Sequence, residues 1–404
     1  MISSDTTPDT WPTDPIAAVV HADPYPYYAS LVDGPHLAFD PRLRLWIAAS
    51  ASAVDAVLSD PRCRVRPLRE PVPAAIVSGP AGEVFARLVR MNEGADHASP
   101  KLALQRALAS VAMTEVEAKV RGFIARQTTL PHTAEALSAW TFALPVSVVA
   151  SILGFADDEL AQVSAWTSDF VACLSPLSGP VQIADAHAAA DRLLVRMKAL
   201  VDVSTGDSTT LVGTVAREAR AVGWDRADAI VANLIGLLSQ TFDATAGLIG
   251  NTIRALLLRP DTRAEAARQP TRLSAFVDEV SRHDPSVQNT RRFVSEDMMI
   301  SGTALQAGDA ILVLLAAANR DPAANVDPHA FRIDRPNRRI FSFGHARHQC
   351  PGQTLACTIA ATAVSELLPV DVPMLATPLE WGFRPSANAR IPVFIDRAAL
   401  LQHR

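Results

Sequence analysis

Cys350 stands in the segment Phe341-Ser-Phe-Gly-His-Ala-Arg-His-Gln-Cys-Pro-Gly-Gln-Thr-Leu-Ala, the part of this 404-residue chain best suited to chemistry. Pro351 fits the first position of a helix running on from Gln353. Free backbone N–H groups and the helix dipole at such a terminus favour a thiolate, which is a nucleophile or a soft metal ligand. An aromatic, a glycine and basic side chains precede the cysteine, and they suit an anionic metal ligand because shielding and backbone donors tune the metal. Two other readings stay open at this point. One is a buried free thiol in a Gly/His loop. The other is zinc held by His345, His348 and Cys350, although three ligands within six residues crowd one metal and no second ligand pair follows at finger-like spacing.

Two further constellations carry charge or polarity where the pattern is apolar. Asp225–Leu258 is Pro-free and apolar over most of its circumference, which predicts a buried helix long enough to cross the molecule. Its polar residues Asn233, Ser239, Gln240, Thr241, Asp243 and Thr245 then need partners. Glu279 and Arg282 share one helix face at i, i+3 spacing and can form an ion pair.

The elements that must position these groups follow from the rest of the pattern. Hydrophobic residues make up 49% and charged residues 20%, enough for a large core and too apolar for wholesale disorder. A net charge of −5 gives no electrostatic reason to bind nucleic acid or an anionic membrane. Four cysteines make no disulfide framework, and the N-terminus has no basic or apolar leader. The apolar runs Ala229–Leu238 and Ile311–Ala318 fall short of the ~18–20 residues of a membrane span. A soluble cytoplasmic protein with reduced thiols is expected. Residues 1–20 read as a flexible arm and Pro-rich residues 65–85 as a long surface loop. Helices are expected at Pro26–Leu31, Ala53–Leu58, Leu102–Val111, Val116–Gln127, Leu144–Leu153, Asp157–Ala172, Ile183–Val201, Leu273–His283 and Gln353–Leu368. Short strands are expected around Trp46–Ala48, Arg292–Val294 and Ala310–Leu314. The fold class is mainly α with a minor β component.

The cysteine segment resembles the haem-binding loop of the cytochrome P450 family, Phe-Gly-x-Gly-x-His-x-Cys-x-Gly, at Phe343, Gly344, His348, Cys350 and Gly352. Ala346 stands where a second Gly is usual, which implies a slightly different turn. Glu279-Val-Ser-Arg282 matches the family's Glu-x-x-Arg, and its continuation through His283-Asp-Pro to Arg292 resembles bacterial members. Asn319-Arg-Asp-Pro and Asp23-Pro-Tyr-Pro match in the family's order, so the resemblance covers nearly the whole chain.

The resemblance implies a single haem domain over 21–404 with a prism-like P450 fold, the haem lying between a long distal helix and the cysteine loop. Cys350 would be the axial thiolate of a haem b, with Phe343 beside it and Gly344 and Gly352 shaping the loop. His97, Lys101, Arg292 and His348 match the haem-propionate positions, Lys101 replacing the usual Arg and losing its fork. Glu279 and Arg282 would pin the loop. In the distal helix Asp243 takes the acid position, Ala244 replaces the alcohol that helps deliver protons, and Thr241 replaces a groove-opening Gly. The missing alcohol leaves three outcomes open: a substrate hydroxyl or water substitutes; Thr241 or Thr245 serves through a shifted helix; or the reaction is oxidative coupling, nitration or peroxide-driven oxidation. Turnover-free haem or ligand binding is a second function class.

Substrate contacts would come from residues 65–90 and 168–185, from Gln240, Val287, Asn289 and Arg291, and from the loop carrying Arg390; Arg291 or Arg390 could take a carboxylate. The implied reaction uses dioxygen and electrons from a separate ferredoxin and ferredoxin reductase, docking near Cys350 through Arg347, Lys101, Arg338 and Arg339. The substrate would be a small molecule, free or carrier-bound, typical of secondary metabolism. No nucleic-acid or membrane partner is expected, and the protein would be a monomer. Cys63, Cys173 and Cys357 read as apolar fillers.

Overall fold

Ala227–Leu257 forms one unbroken helix of 31 residues, within two residues of the expected bounds at its start and one at its end. In the computed structural model, which describes residues 11–127, 129–175, 178–204, 209–368 and 379–396, this long helix is the axis of the largest core. It is buried through most of its length but accessible at its centre, at Leu237, Gln240, Thr241, Asp243 and Ala244. A helix apolar all round needs cover on every side. Here the helices Ala134–Leu153, Pro180–Val203, Leu273–His283 and Gln353–Leu367 supply it, leaving the centre accessible.

Ala134–Leu153 is the element the sequence pattern underread. Helix is expected there only from Leu144, yet it begins ten residues earlier, capped by the Thr133 hydroxyl accepting from the Ala136 N–H and ended by Gly154 at φ 108°. It runs through Pro145. It is long and apolar enough to cross a bilayer, but its most apolar window is 67% buried against other helices, as a core helix is. Leu211–Ala221 is a further helix with no separate expectation.

Two surface expectations are corrected. The Pro-rich stretch does not stay a loop: Pro80 takes a first-turn position and Pro80–Arg87 is helical. The arm is anchored at its end, where Ala17–Val20 makes a 3-10 turn with Ala18 and Val19 fully buried; residues 1–10 lie outside those described.

The strands are β1 Ala38–Asp40, β2 Leu45–Ala48, β3 Cys63–Arg64, β4 Thr290–Val294, β5 Met298–Ile300, β6 Thr303–Leu305, β7 Ala310–Val313, β8 Glu380–Phe383 and β9 Pro392–Ile395. Five make one sheet in the order β1-β2-β7-β4-β3, with β2 and β7 parallel and the other pairs antiparallel. The remaining four form two hairpins, β5-β6 and β8-β9. Within β4, alternation puts Arg292 inside and Arg291 out.

A buried charge cluster joins distant parts of the chain. Asp284, just past Leu273–His283, accepts from Arg390 Nε (3.0 Å), Arg254 Nη1 (2.6 Å) and the Tyr25 hydroxyl. Arg390 also donates to the carbonyls of Val19, His21 and Ala22 (2.6–3.0 Å) and lies over the Phe383 ring at 3.6 Å.

Candidate haem site and distal pocket

Cys350 sits where the loop turns into the helix Gln353–Leu367. Its N–H donates to the Phe343 carbonyl (2.7 Å), and the Gly344 N–H donates to Phe341 (2.7 Å), which folds the loop back on itself. Gly344 has φ 74°, and a Cβ there would lie 3.0 Å from the His348 carbonyl oxygen, so the turn requires glycine. Ala346 has φ 52°. The different turn expected from the missing glycine is therefore not seen as an escape from left-handed backbone: the alanine adopts it and bears a strain of about 1 kcal/mol.

The thiol of Cys350 is accessible, yet burial pushes its pKa up, against the Gly352 N–H and the Lys101 ammonium, which pull it down. Accessible but desolvated, it borders a recess rather than bulk water. The imidazoles do not gather on it as zinc would require. His345 turns to Asp55 (2.8 Å) and His348 to Glu93 (3.1 Å). The loop is pinned from behind: the Ser342 hydroxyl donates to the Ser281 carbonyl (2.6 Å), and the Phe341 N–H to Asn319 Oδ1 (2.6 Å).

That pinning continues to Glu279 and Arg282, both fully buried. Their forks meet at 2.6 and 3.0 Å. Arg282 donates onward to the carbonyls of Pro328 (2.7 Å) and Ala330 (3.0 Å), which lie in the coil leading to the cysteine loop. The sequence reading missed two more arginines on the same carboxylate, Arg338 (2.9 Å) and Arg335 (3.4 Å).

On one side of the recess, cations collect with too little negative charge. The rings of His97 and His348 lie 4.3 Å apart, and Lys101 Nζ reaches the Gln349 carbonyl beside Cys350. Burial, then His348 and Lys101, pushes the His97 pKa down to about 4. Burial pushes Arg292 down to about 10. Among the described residues Glu93 is the carboxylate that pairs with His348 and Arg347; burial would raise it, but these two outweigh that and hold it at about 2. His97 Nε2 and Arg292 Nε are buried with no hydrogen-bond partner. Orphaned buried donors are costly, and a dianionic group would satisfy them. With an accessible thiol nearby, the residues present fit a haem whose two propionates reach this cluster.

The distal helix places Thr241 and Ala244 about one turn apart on the open face, at i, i+3. The Thr241 hydroxyl donates to the Leu237 carbonyl (2.8 Å), and Gln240 Nε2 to Gly236 (2.8 Å). Thr245 is buried. Asp243 points round the helix to Arg384 Nη2 (2.7 Å) beyond β8. Burial raises its carboxyl, and Arg384 opposes that.

Several expected pocket and docking residues are placed elsewhere. Arg390 is fully buried and occupied by Asp284 and three carbonyls, so it is a structural tie and not a free carboxylate receptor. Asn289 is buried with its amide on the Ala387 carbonyl (2.9 Å), and Val287 bridges to Ala389; both hold the C-terminal loop. Arg291 is on the exposed face of β4, opposite Arg292. Of the docking cations, Lys101 is buried, Arg347 is held by Glu93 and the carbonyls of Ser59, Asp60 and Cys63, and Arg338 by Glu279. Arg339 alone of the four keeps a half-exposed charge, 4.0 Å from Asp55. In the 168–185 segment, residues 176 and 177 lie outside those described.

A family model for cytochrome P450 matches residues 265–369, the stretch carrying the Glu279 and Cys350 motifs. The cytochrome P450 monooxygenase PikC of Streptomyces venezuelae is 30% identical over 367 residues, covering 86% of this chain and 83% of its own. The 20-oxo-5-O-mycaminosyltylactone 23-monooxygenase of Streptomyces fradiae is 28% identical over 333 residues, covering 80% and 77%. Among solved structures, that of CalO2 superposes with a TM-score of 0.81 at 23% identity over 95% of this chain and 98% of that one. P450BioI, solved with a hexadec-9Z-enoic acid ligated acyl carrier protein, gives 0.77 at 22% identity over 92% and 96%. The likeness to PikC extends well beyond the local motifs, and the chain belongs to the cytochrome P450 family, as an oxidoreductase of the monooxygenase type.

Proposed function

We propose that the protein is a haem b monooxygenase that oxidises a small organic molecule, free or carrier-bound, in secondary metabolism, with electrons from a separate ferredoxin and its reductase in the cytoplasm. The observation that carries this reading is the pairing of an accessible, desolvated Cys350 with buried, orphaned donors on His97 and Arg292. When bound, the haem would supply reductive activation of dioxygen, placing one oxygen atom in the substrate and releasing the other as water. Cys350 would hold its iron and His97, Lys101, Arg292 and His348 its propionates. The oxidation of 20-oxo-5-O-mycaminosyltylactone by one relative and the acyl-carrier-bound acid of a structural neighbour support both substrate forms.

The test is the absorption spectrum of the reduced, carbon-monoxide-bound protein. The strong red shift of thiolate-ligated haem is expected, and its loss in Cys350→Ala. A red-shifted band that persists in the variant would remove Cys350 from the iron.

Proton delivery is the chain's unusual feature. Thr241 is the hydroxyl that shares the open face with Ala244, and Asp243 is a raised carboxyl one helix position away, leashed by Arg384. We propose that Thr241 takes the place of the missing alcohol, relaying protons that Asp243 supplies when it leaves Arg384. Thr241→Val should then lower product formation by about 10²-fold, the low end for loss of a positioned proton donor, while reduced cofactor is still consumed and hydrogen peroxide accumulates. Undiminished product in this variant would instead favour a substrate hydroxyl or water as donor. Coupling or nitration products from the reconstituted system would favour the atypical chemistry.

A further inference from the structure

We propose that Arg90 is the anion-recognition residue of the distal pocket and fixes a carboxylate on an acidic substrate. This deepens the haem-monooxygenase reading and rests on it.

Arg90 is the middle residue of a 3-10 turn, Val89–Met91, that joins the helix Pro80–Arg87 to the helix Ala95–Ala109. The turn is tied at both ends to the walls of the recess. Upstream, the Val89 N–H donates to Asn233 Oδ1 of the long helix (2.7 Å), and Asn233 Nδ2 donates back to the Arg87 carbonyl (2.9 Å). Downstream, Glu93 accepts from His348 and Arg347 of the cysteine loop (3.1 Å each). Arg90 therefore lies on the strap that spans the gap between distal helix and cysteine loop. Leu88 and Val89 beside it are buried, while Arg90 itself is accessible.

That accessibility is not exposure to bulk water. Burial lowers the Arg90 guanidinium from its ordinary pKa, and no neighbouring carboxylate offsets it. Leu88 of the strap and Gln240 of the long helix meet over Gly236, 2.7 and 3.2 Å from where a Cβ there would sit, so the accessible Gln240 faces this strap. Among the described residues Arg90 has no hydrogen-bond or ion-pair partner. A desolvated, unpaired cation costs stability, so the fold gains nothing by keeping it. A carboxylate arriving in the recess would pair with its fork.

Two carboxylates could arrive there, one on the substrate and one on the haem. The propionate cluster gathers at the cysteine loop, where the His97 and His348 rings lie 4.3 Å apart and Lys101 reaches the Gln349 carbonyl, whereas Arg90 adjoins Val89, the residue tied to the long distal helix. That assigns the substrate's acid to Arg90.

The test uses the holoenzyme and iron-anchored probes: imidazol-1-yl alkanoates with tethers of increasing length, each paired with its neutral primary amide. Binding is read from the shift of the haem absorption band. At one or more tether lengths the carboxylate should bind about tenfold more tightly than its amide. Arg90→Gln should bring the pair within about twofold, and Arg90→Lys should retain part of the preference. No preference at any tether length, or a preference that survives in Arg90→Gln, overturns the proposal. So does faster transfer of haem from Arg90→Gln to apomyoglobin, which would assign Arg90 to a propionate. 1-Methylimidazole is the control: its failure to shift the wild-type spectrum would count against the haem reading itself, independently of Arg90.

Discussion

Glu279→Gln should lower the stability of the holoenzyme by about 3–5 kcal/mol, the range found when one partner of a buried ion pair is removed. Burial alone would raise the Glu279 carboxyl, but the Arg282 hydrogen bonds and the Arg332 N–H outweigh it and hold it below the usual range. It is therefore ionised in the folded protein and balances Arg282, Arg335 and Arg338 together. Glutamine fills the same space and removes the charge, leaving three guanidiniums facing one another in a low dielectric. Those arginines also hold the carbonyls of Val326, Pro328, Ala330 and Ile333, so loss of the anion loosens the coil that delivers Phe341–Cys350. Thermal denaturation should show a midpoint lower by about 5 °C in a chain of this size, with less haem retained per chain. The neighbouring change Asp278→Asn is the control. Asp278 is 42% exposed and 3.8 Å from Arg338, so its loss should cost under about 1 kcal/mol. Equal melting of Glu279→Gln and wild type would show that water reaches this cluster.

The second large effect is expected at Arg390. Arg390→Met should cost about 3–5 kcal/mol, because Asp284 loses one of the two arginines hydrogen-bonded to it and the Val19, His21 and Ala22 carbonyls lose their donors. Affinity for an acidic ligand should not change, which separates this structural tie from the pocket residue it resembles in sequence. The same cluster sets a pH dependence. Burial would raise Asp284, but Arg390 and Arg254 outweigh it and hold it at about 2, against 3.8 ordinarily. A depressed carboxyl stabilises the fold fully above its unfolded pKa. That contribution is lost as pH falls from about 4 through about 2. Asp284→Asn should therefore flatten the acid limb of the stability curve over that window, and an unaltered limb would contradict the assignment.

The parts of the site legible in sequence are those whose partners lie within a turn or a motif. Glu279 and Arg282 are three residues apart, so helix geometry alone brings them together. The cysteine loop carries its own glycine, aromatic and helix start. The long helix shows its burial through composition. What was not legible depends on distant partners. Arg390 reads as a loop cation free to meet a substrate, and only the fold brings Asp284 and Val19 to it. Lys101 and Arg338 read as docking charges for the same reason: an isolated cation in sequence carries no sign of burial. Only the second half of Ala134–Leu153, Pro145 included, shows in the apolar spacing; its first ten residues are held by the Thr133 cap and by packing on the long helix. Arg90 falls at the end of the 65–90 segment expected to contact substrate, but nothing singles it out there, because its distinction is the absence of a partner among the described residues.

The tie between Arg390 and the carbonyls of Val19, His21 and Ala22 joins residues up to 371 positions apart. At roughly 5–20 residues per second of synthesis, the first of these waits on the order of tens of seconds on the ribosome before its partner is made. Asp284 spends the last part of that interval without Arg390. A nascent chain can assemble its helices early, but this charge cluster forms only once residue 390 has been made. Stable packing of this part of the core thus waits for residue 390, and a chain truncated before it should remain a client of chaperones.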